Sequence, residues 1–223
     1  MKADHFSIDL ETLGTRYNAA ILSIGVQQFD IDSGKLGDTF YREIDLDSAI
    51  KAGKVMGSTL AWWVLQGEVA KRVFGNKNKT ALSVALDELS TWMKKLSSNP
   101  KVWGNGSSFD ISILEHAYDH GAVGLKEPWR YTNIRDMRTI MDYLPAIMKP
   151  KREGTHHNAL DDAKYQAQCI SAAHRTITGK PILQPQVKTQ AGAMEINGGL
   201  VVLPIVKDDQ GRLGVSVVDD DDL

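Results

Sequence analysis

The sequence predicts an α/β fold built around one mixed β-sheet, followed by a C-terminal appendage. Three early segments alternate apolar with other side chains, which is the period of two expected of β-strands. Later segments carry apolar residues at spacings of three and four, the pattern of helices that cover a core. Strands first, then strand and helix in alternation, favour helices packed on a single sheet.

The opening strands are predicted at three alternating runs, residues 6–10, 20–26 and 40–44. Turn-forming residues connect the last two runs, so a meander of three strands is expected. Ser58 and Thr80 are preferred N-cap residues, and each precedes a helical pattern. They predict a short helix and then a long amphipathic helix.

Strand and helix alternate in the second half of the body. Residues 101–103 predict a short buried strand, and a glycine- and serine-rich turn leads from it into a helix. A shorter helix is expected before Pro145, followed by a loop rich in basic residues at 149–157. The last helix is expected to begin near Asn158.

Length and composition indicate one folded domain with an appendage. The chain has 223 residues, of which 42% are hydrophobic and 24% are charged, as is ordinary for globular proteins. No apolar run approaches the roughly 18 to 20 residues of a membrane-spanning helix, so a cytoplasmic protein without membrane contact is expected. The single cysteine, Cys169, cannot form an internal disulfide, which fits a reducing compartment.

The C-terminal segment differs in composition from the body. It begins with proline-, glutamine- and glycine-rich sequence, ends in four aspartates before the final leucine, and carries two short apolar runs that predict a β-hairpin. We therefore expect a body at residues 1–177 and a tail at 178–223. The formal net charge of −2 divides into −3 for the tail and +1 for the body, and a near-neutral body does not argue for non-specific coating of nucleic acid but leaves room for a local basic groove.

Two acids on the first predicted strand are the first candidates for chemistry. Asp9 and Glu11 lie two residues apart, so their carboxylates share one face of the strand while Ile8 and Leu10 take the other. Paired acids beside an apolar face repel each other unless a cation lies between them. By itself this pair leaves open both a metal site and solvated acids at the end of a strand.

Two further acids and a histidine extend the pattern. Asp110 lies at the start of a helix, where the positive end of the helix dipole favours a carboxylate, although an ordinary first-turn acid is the alternative. Asp162 follows His157 by about one and a half helical turns, so the histidine loop can approach a group that Asp162 holds. Asp161 is the weaker ligand candidate, because it points about 100° away from Asp162 around the helix.

Together these residues resemble the DEDDh 3′→5′ exonuclease superfamily, whose members share a ribonuclease H-like fold. The resemblance rests on five residues: Asp9, Glu11, Asp110, His157 and Asp162. Three further segments are similar to a subgroup that contains a phage exodeoxyribonuclease and a mycobacterial exoribonuclease: residues 9–14, 59–63 and 135–139. The resemblance covers roughly residues 5–177 and implies a mixed five-stranded sheet flanked by helices.

The resemblance also implies a chemistry. The four acids would hold two Mg²⁺ or Mn²⁺ ions, hard cations that prefer carboxylate oxygens. His157 would be the general base, and nucleoside 5′-monophosphates would leave from the 3′ end. His156 is a rival base, but its spacing to Asp162 is one residue too long for the family pattern.

Substrate contacts are expected beside the acids. In the family, the stretch that corresponds to Thr12, Leu13 and Gly14 lines the 3′ nucleotide. Aromatic and basic side chains supply further candidates for stacking on bases and binding phosphates: Trp62, Trp63, Phe109, Arg135 and Arg138. The adjacent tryptophans cannot share one helix face, so one is expected in the core and the other at the cleft. The loop residues Lys149, Lys151 and Arg152 are further candidates for binding phosphates. The alternatives are that the aromatic side chains pack in the core and that the cations are simply solvated.

We therefore expect a metal-dependent 3′→5′ exonuclease that acts on single-stranded DNA or RNA 3′ ends, with DNA slightly favoured because of the phage relative. The alternative is a catalytically inactive nucleic-acid-binding module of the same fold. Loss of one of the five residues would mark such a module, and none is lost. Relatives of this family often dimerise, so a homodimer stays open.

Overall fold

The structure is a computed structural model that describes residues 3–122 and 124–180 and, further on, four short strands. It divides into two compact units, Met1–Leu183 and Gln184–Leu223. The first unit contains a five-stranded sheet flanked by helices. The predicted division into a body at 1–177 and a tail at 178–223 stays a prediction.

The sheet of the first unit is mixed, and its central strand carries the first candidate acids. In chain order its strands are β1 (His5–Thr12), β2 (Ile21–Phe29), β3 (Leu36–Glu43), β4 (Lys101–Gly104) and β5 (Ile134–Asp136). Their spatial order is β3-β2-β1-β4-β5. Strand β1 pairs antiparallel with β2 and parallel with β4, β2 pairs antiparallel with β3, and β4 pairs parallel with β5. The predicted meander and mixed sheet are confirmed.

Helices cover both faces of this sheet. They are α1 (Leu46–Ala52), α2 (Gly57–Val64), α3 (Glu68–Gly75), α4 (Leu82–Leu96), α5 (Ser107–Gly121), α6 (Met137–Met141) and α7 (Ala159–Thr178). The larger core lies where apolar residues of β1 and β2 pack with α4 and α5, and a smaller one lies against α6 and α7. Cys169 of α7 is buried in the smaller core.

The start of α7 was predicted correctly, whereas two other predicted caps were wrong. Asn158 caps α7, because its side chain accepts a hydrogen bond from the Asp161 N–H. Helix α2 begins at Gly57, so Ser58 lies inside the helix. Thr80 lies outside α4, because its backbone pairs with that of Ile44 at the end of β3. The hydroxyl of Ser48 accepts the N–H of Leu82 instead, at 3.0 Å.

Gly25 of β2 allows the N-terminus of α7 to lie directly on the sheet. A Cβ atom at this position would lie 2.1 Å from the backbone carbonyl carbon of Ala159. No side chain fits in that space, so only glycine permits this approach of helix and strand. Gly25 pairs with Asp9 on β1, so the helix begins beside the strand acids.

The second unit contains two antiparallel strand pairs. Strand β6 (Met194–Ile196) pairs with β7 (Gly199–Val201), and β8 (Ile205–Lys207) pairs with β9 (Leu213–Val215). The four aspartates of the predicted acidic end, 219–222, lie outside the described residues. Among the helices that the structure describes, we find none with the length and apolar character that a membrane crossing requires.

Candidate active site

Asp9 and Glu11 lie on the face of β1 that α7 covers. Gln166 of α7 fixes Asp9, because its Nε2 donates to Asp9 Oδ1 at 2.6 Å while its Oε1 accepts the hydroxyl of Ser7 at 3.3 Å. Sequence reasoning missed Gln166. The available signal was its position four residues after Asp162, which places both side chains on one face of a helix.

Asp110 reaches the same place from the first turn of α5. It is buried, and its two oxygens accept the backbone N–H groups of Leu10 at 3.3 Å and Asn105 at 3.0 Å. The preceding turn is held by Asp136, which accepts the N–H of Ser107 at 2.5 Å. Sequence reasoning also missed Asp136, which caps α6 and thereby ties β5 to the turn before α5.

The loop before α7 places His157. Its backbone has φ = +58°, a left-handed conformation that is uncommon for residues other than glycine and often found at functional sites. The His157 N–H donates to Asp162 Oδ2 at 3.2 Å, and the Thr155 N–H donates to Asp161 Oδ2 at 3.0 Å. Asp161 therefore holds the loop, while the rival histidine, His156, is exposed.

The structure brings the five predicted residues together. A carboxylate oxygen of Glu11, one of Asp162 and a ring nitrogen of His157 all lie within 4.8 Å of one another. Asp110 and Asp9 join this group closely enough for their charges to act on each other. Residues from one strand, two helices and a loop therefore form one acidic cluster.

Burial and mutual repulsion make this cluster electrostatically costly. Burial, with the Asp110 charge beside it, raises the pKa of Glu11 from 4.5 to about 7. Burial also raises the pKa of Asp110 to about 7, although backbone N–H groups oppose this rise. For Asp9, burial and then the charges of Asp110 and Glu11 hold the pKa well above its usual range. A divalent cation would relieve this repulsion.

His157 is suited to accept a proton. Burial, followed by the nearby positive charges of His156 and Arg152, lowers the pKa of His157 below its ordinary 6.5. A lowered pKa keeps the imidazole neutral near pH 7, so a ring nitrogen has a free lone pair.

A cleft of about 420 Å³ opens beside the cluster. Its lining includes Glu11 and five of the eight candidate substrate contacts outside the 149–157 loop: Thr12, Gly14, Trp62, Trp63 and Phe109. The expected division of the tryptophans is present, since Trp63 is buried and donates from Nε1 to the Thr12 carbonyl at 2.9 Å, whereas Trp62 is 39% exposed. Leu13 is buried and does not line the cleft.

A second cavity of about 270 Å³ lies between β3 and α3, and His157 also lines it. Its polar lining includes Tyr41, Glu43, Arg72 and Asn76, and both the Tyr41 hydroxyl and the Asn76 amide donate to the Glu43 carboxylate. Glu11 lines the cleft and His157 lines the second cavity, so members of the cluster border both.

The two predicted arginines occupy different positions. Arg138 Nε lies 3.4 Å from the side-chain oxygen of Asn105, and the arginine's charge lowers the pKa of Asp110, so Arg138 borders the cluster. Arg135 donates to the backbone carbonyls of Thr132 and Ile134, so its guanidinium is engaged by its own loop.

The sequence profile of a family described as the 3′-5′ exoribonuclease Rv2179c-like domain matches residues 4–174. The chain belongs to this family. It is a 3′→5′ exonuclease with the ribonuclease H-like fold of the DEDDh superfamily. No curated protein sequence matches the chain.

Solved structures of nucleases share the fold at low sequence identity. The nuclease domain of 3′hExo, a DEDDh family member bound to rAMP, is 17% identical with a TM-score of 0.51, and the match covers 81% of this chain and 94% of that domain. Pop2p of S. pombe in its Mg²⁺- and Mn²⁺-bound form is 14% identical with a TM-score of 0.52, covering 78% and 84%. Exonuclease I in an ExoI/SSB-Ct complex is 13% identical with a TM-score of 0.51, covering 77% and 41%.

The family implies a divalent metal ion, and the donor set fits one. Carboxylate oxygens are the ligands that Mg²⁺ and Mn²⁺ prefer. The cluster offers them at close range, and burial raises the pKa values of Asp9, Glu11 and Asp110, so a bound cation would favour their ionised forms. Asp9, Glu11, Asp110 and Asp162 are therefore the residues that can hold such an ion.

Proposed function

We propose that this exonuclease removes nucleoside 5′-monophosphates from the 3′ end of single-stranded RNA, and less readily of DNA, with two Mg²⁺ or Mn²⁺ ions held by its acidic cluster. The observation that carries the proposal is the approach of Glu11, His157 and Asp162 within 4.8 Å at the mouth of an aromatic cleft. Asp9 and Asp110 complete the cluster. All five residues have the chemistry that the proposal needs.

Each group of side chains has its own task. Asp9, Glu11, Asp110 and Asp162 would hold the ions, which when bound would supply Lewis-acid activation of the attacking water and stabilisation of the departing 3′ oxygen. His157 would accept the proton of the attacking water, since its lowered pKa leaves the ring neutral at pH 7.

The cleft is suited to the 3′-terminal nucleotide. Trp62 is partly exposed and its ring centroid lies 5.0 Å from that of His157, so an indole face is available close to the general base. The backbone at Thr12 and Gly14 lines the same cleft. Arg138 at the border of the cluster is a candidate phosphate contact, and the cavity between β3 and α3 has room for the next nucleotide.

RNA is proposed as the better substrate on the description of the family. The matching family is described as an exoribonuclease domain, and 3′hExo is bound to rAMP. The earlier expectation of a slight preference for DNA rested on a phage relative, and no contact of the described residues supports it. Discrimination between the two sugars requires a group that reads the 2′-hydroxyl.

Digestion of 5′-labelled single-stranded RNA and DNA of one sequence tests the proposal. With Mg²⁺ or Mn²⁺ the full chain is expected to give a stepwise ladder from the 3′ end, faster on RNA. Asp9→Asn is expected to abolish the ladder, and His157→Ala to slow it by roughly 10²- to 10⁴-fold. His156→Ala removes the neighbouring exposed histidine and is expected to retain activity.

Each outcome has a clear meaning. Activity in Asp9→Asn equal to that of the unmodified protein would contradict the proposed site, and a similar loss in both histidine variants would contradict the choice of base. An inactive wild-type chain that still binds RNA would indicate the catalytically inactive module. Faster digestion of DNA would reverse the proposed preference. The homodimer stays a prediction, which light scattering after size-exclusion chromatography tests.

A further inference from the structure

Arg152 places a positive charge inside the acidic cluster. Its Nη2 forms an ion pair with Asp162 Oδ1, and the two side chains are only 25% and 13% exposed. Its guanidinium also lies 4.9 Å from the ring centroid of Tyr165. Tyr165 follows Asp162 by three residues on α7, so both partners of the guanidinium lie on one side of the helix.

Both carboxylate oxygens of Asp162 have a close neighbour in this arrangement. One oxygen contacts Arg152, and the other accepts the backbone N–H of His157 at 3.2 Å. Glu11 and the His157 ring approach the same carboxylate. A divalent ion bound by Asp162 must therefore approach an oxygen that already contacts a cation, and like charges at that distance in a poorly solvated site repel strongly.

The charge of Arg152 reaches beyond its ion pair. It lowers the pKa of Asp9 and that of His157, so it acts on both the acids and the general base. The neighbouring cation Lys151 is exposed on the same loop. Arg152 is therefore distinguished from the other loop cations by its contact with Asp162.

We propose that Arg152 competes with the divalent ion for Asp162. The inference rests on the proposed function, because it takes Asp162 as a metal ligand. When the ion binds, the guanidinium leaves the carboxylate. The Tyr165 ring, whose attraction for the guanidinium does not depend on Asp162, keeps it at the edge of the site.

Calorimetric titration of the EDTA-treated and dialysed full chain with Mn²⁺ tests this competition. Arg152→Gln is expected to bind Mn²⁺ about tenfold more tightly than the unmodified protein, because the competing conformation is removed. Arg152→Lys is expected to bind about threefold more tightly, since an ammonium lacks the planar guanidinium that lies over the Tyr165 ring. Lys151→Gln removes one positive charge from the same loop and is expected to leave the affinity nearly unchanged.

Thermal unfolding adds a readout that does not depend on turnover. In EDTA, Arg152→Gln is expected to unfold at a lower temperature than Lys151→Gln, because the Asp162 charge loses its partner. Saturating Mn²⁺ is expected to close this difference. Circular dichroism checks that each variant is folded. If Arg152→Gln does not fold, Arg152→Lys is compared with Lys151→Gln instead.

The competition is overturned if neither Arg152 variant binds Mn²⁺ more tightly than the unmodified protein. It is also overturned if Lys151→Gln tightens binding as much as Arg152→Gln, because a general loss of positive charge would then explain the effect. A wild-type chain that binds no Mn²⁺ would contradict the proposed function itself. Equal binding by all four proteins would leave that function standing and remove the role of Arg152.

Discussion

Replacing Glu11 by glutamine is expected to stabilise the metal-free protein while abolishing activity. Glu11 is buried, and its pKa is raised from 4.5 to about 7 by burial and by the charge of Asp110. A group whose pKa is raised by folding favours the folded state below its unfolded pKa, and this contribution is lost as the pH rises through the folded pKa. Ionised Glu11 therefore costs stability above pH 7.

The two pKa values set the magnitude. A difference of about 2.5 between them corresponds to roughly 3 kcal/mol of unfolding free energy, lost between about pH 4.5 and pH 7. Glutamine has nearly the same shape and carries no charge, so Glu11→Gln is expected to escape this loss. For a chain of this size the gain at pH 8 corresponds to a rise in Tm of roughly 6 to 12 °C.

Urea unfolding in EDTA at pH 5 and pH 8 measures the effect. The variant is expected to exceed the unmodified protein in unfolding free energy by roughly 3 kcal/mol at pH 8 and by less than about 1 kcal/mol at pH 5, and saturating Mg²⁺ is expected to reduce or reverse the difference. Glu88→Gln removes a partly exposed carboxylate that pairs with Arg42 at 2.7 Å, and it is expected to lose less than about 1 kcal/mol. A Glu11→Gln variant no more stable than the unmodified protein at pH 8 in EDTA would refute the reasoning.

Three further variants test other parts of the structure. His5→Gln is expected to remove a pH dependence. Burial lowers the pKa of His5 to about 4, and because the side chain is partly exposed, the unmodified protein is expected to lose roughly 2 rather than 3 kcal/mol of unfolding free energy as the pH falls from 6.5 towards 4, which urea unfolding measures. Gln166→Leu is expected to weaken Mn²⁺ binding by roughly 10- to 100-fold in calorimetry, because Asp9 loses the amide that orients it. Gly25→Ala is expected to cost at least about 2 kcal/mol in urea unfolding and to abolish activity, because its Cβ would strike the backbone of α7.

Controls separate these expectations from general effects of substitution. His120→Gln changes an exposed histidine, and Gly75→Ala adds a Cβ with no atom within 4 Å, so neither is expected to change stability by more than about 0.5 kcal/mol. An unchanged pH profile in His5→Gln would exclude that histidine as its source. Mn²⁺ affinity retained in Gln166→Leu, or full activity in Gly25→Ala, would contradict the roles given to those residues.

Local sequence patterns predicted the parts of the site that depend on local geometry. A spacing of two placed Asp9 and Glu11 on one face of a strand, and helical spacing placed Asp162 in the first turns of α7. The adjacent positions of Trp62 and Trp63 required one to be buried and one to face the cleft. In each case the direction of a side chain follows from its own strand or helix.

Contacts between distant segments were not predictable in this way. Helical spacing places Gln166 on the face of Asp162, but it does not identify Asp9 as the partner of Gln166 or Ser107 as that of Asp136, because these residues meet only when the sheet and helices assemble. The predicted cap at Thr80 failed for a similar reason, since pairing with Ile44 competes with capping. The contact of Arg152 with Asp162 depends on the path of a loop that sequence patterns do not determine.

Strand β1 has neighbours on both sides in the sheet, whereas the His157 loop is held mainly by side chains of its own helix. Strand β1 and the His157 loop should therefore differ in how often they unfold locally. Asp9 and Glu11 are expected to stay in place until the whole sheet melts, while the histidine can detach by a local fluctuation with backbone amides that exchange sooner. On warming, catalysis should accordingly fade at temperatures where the protein is still folded.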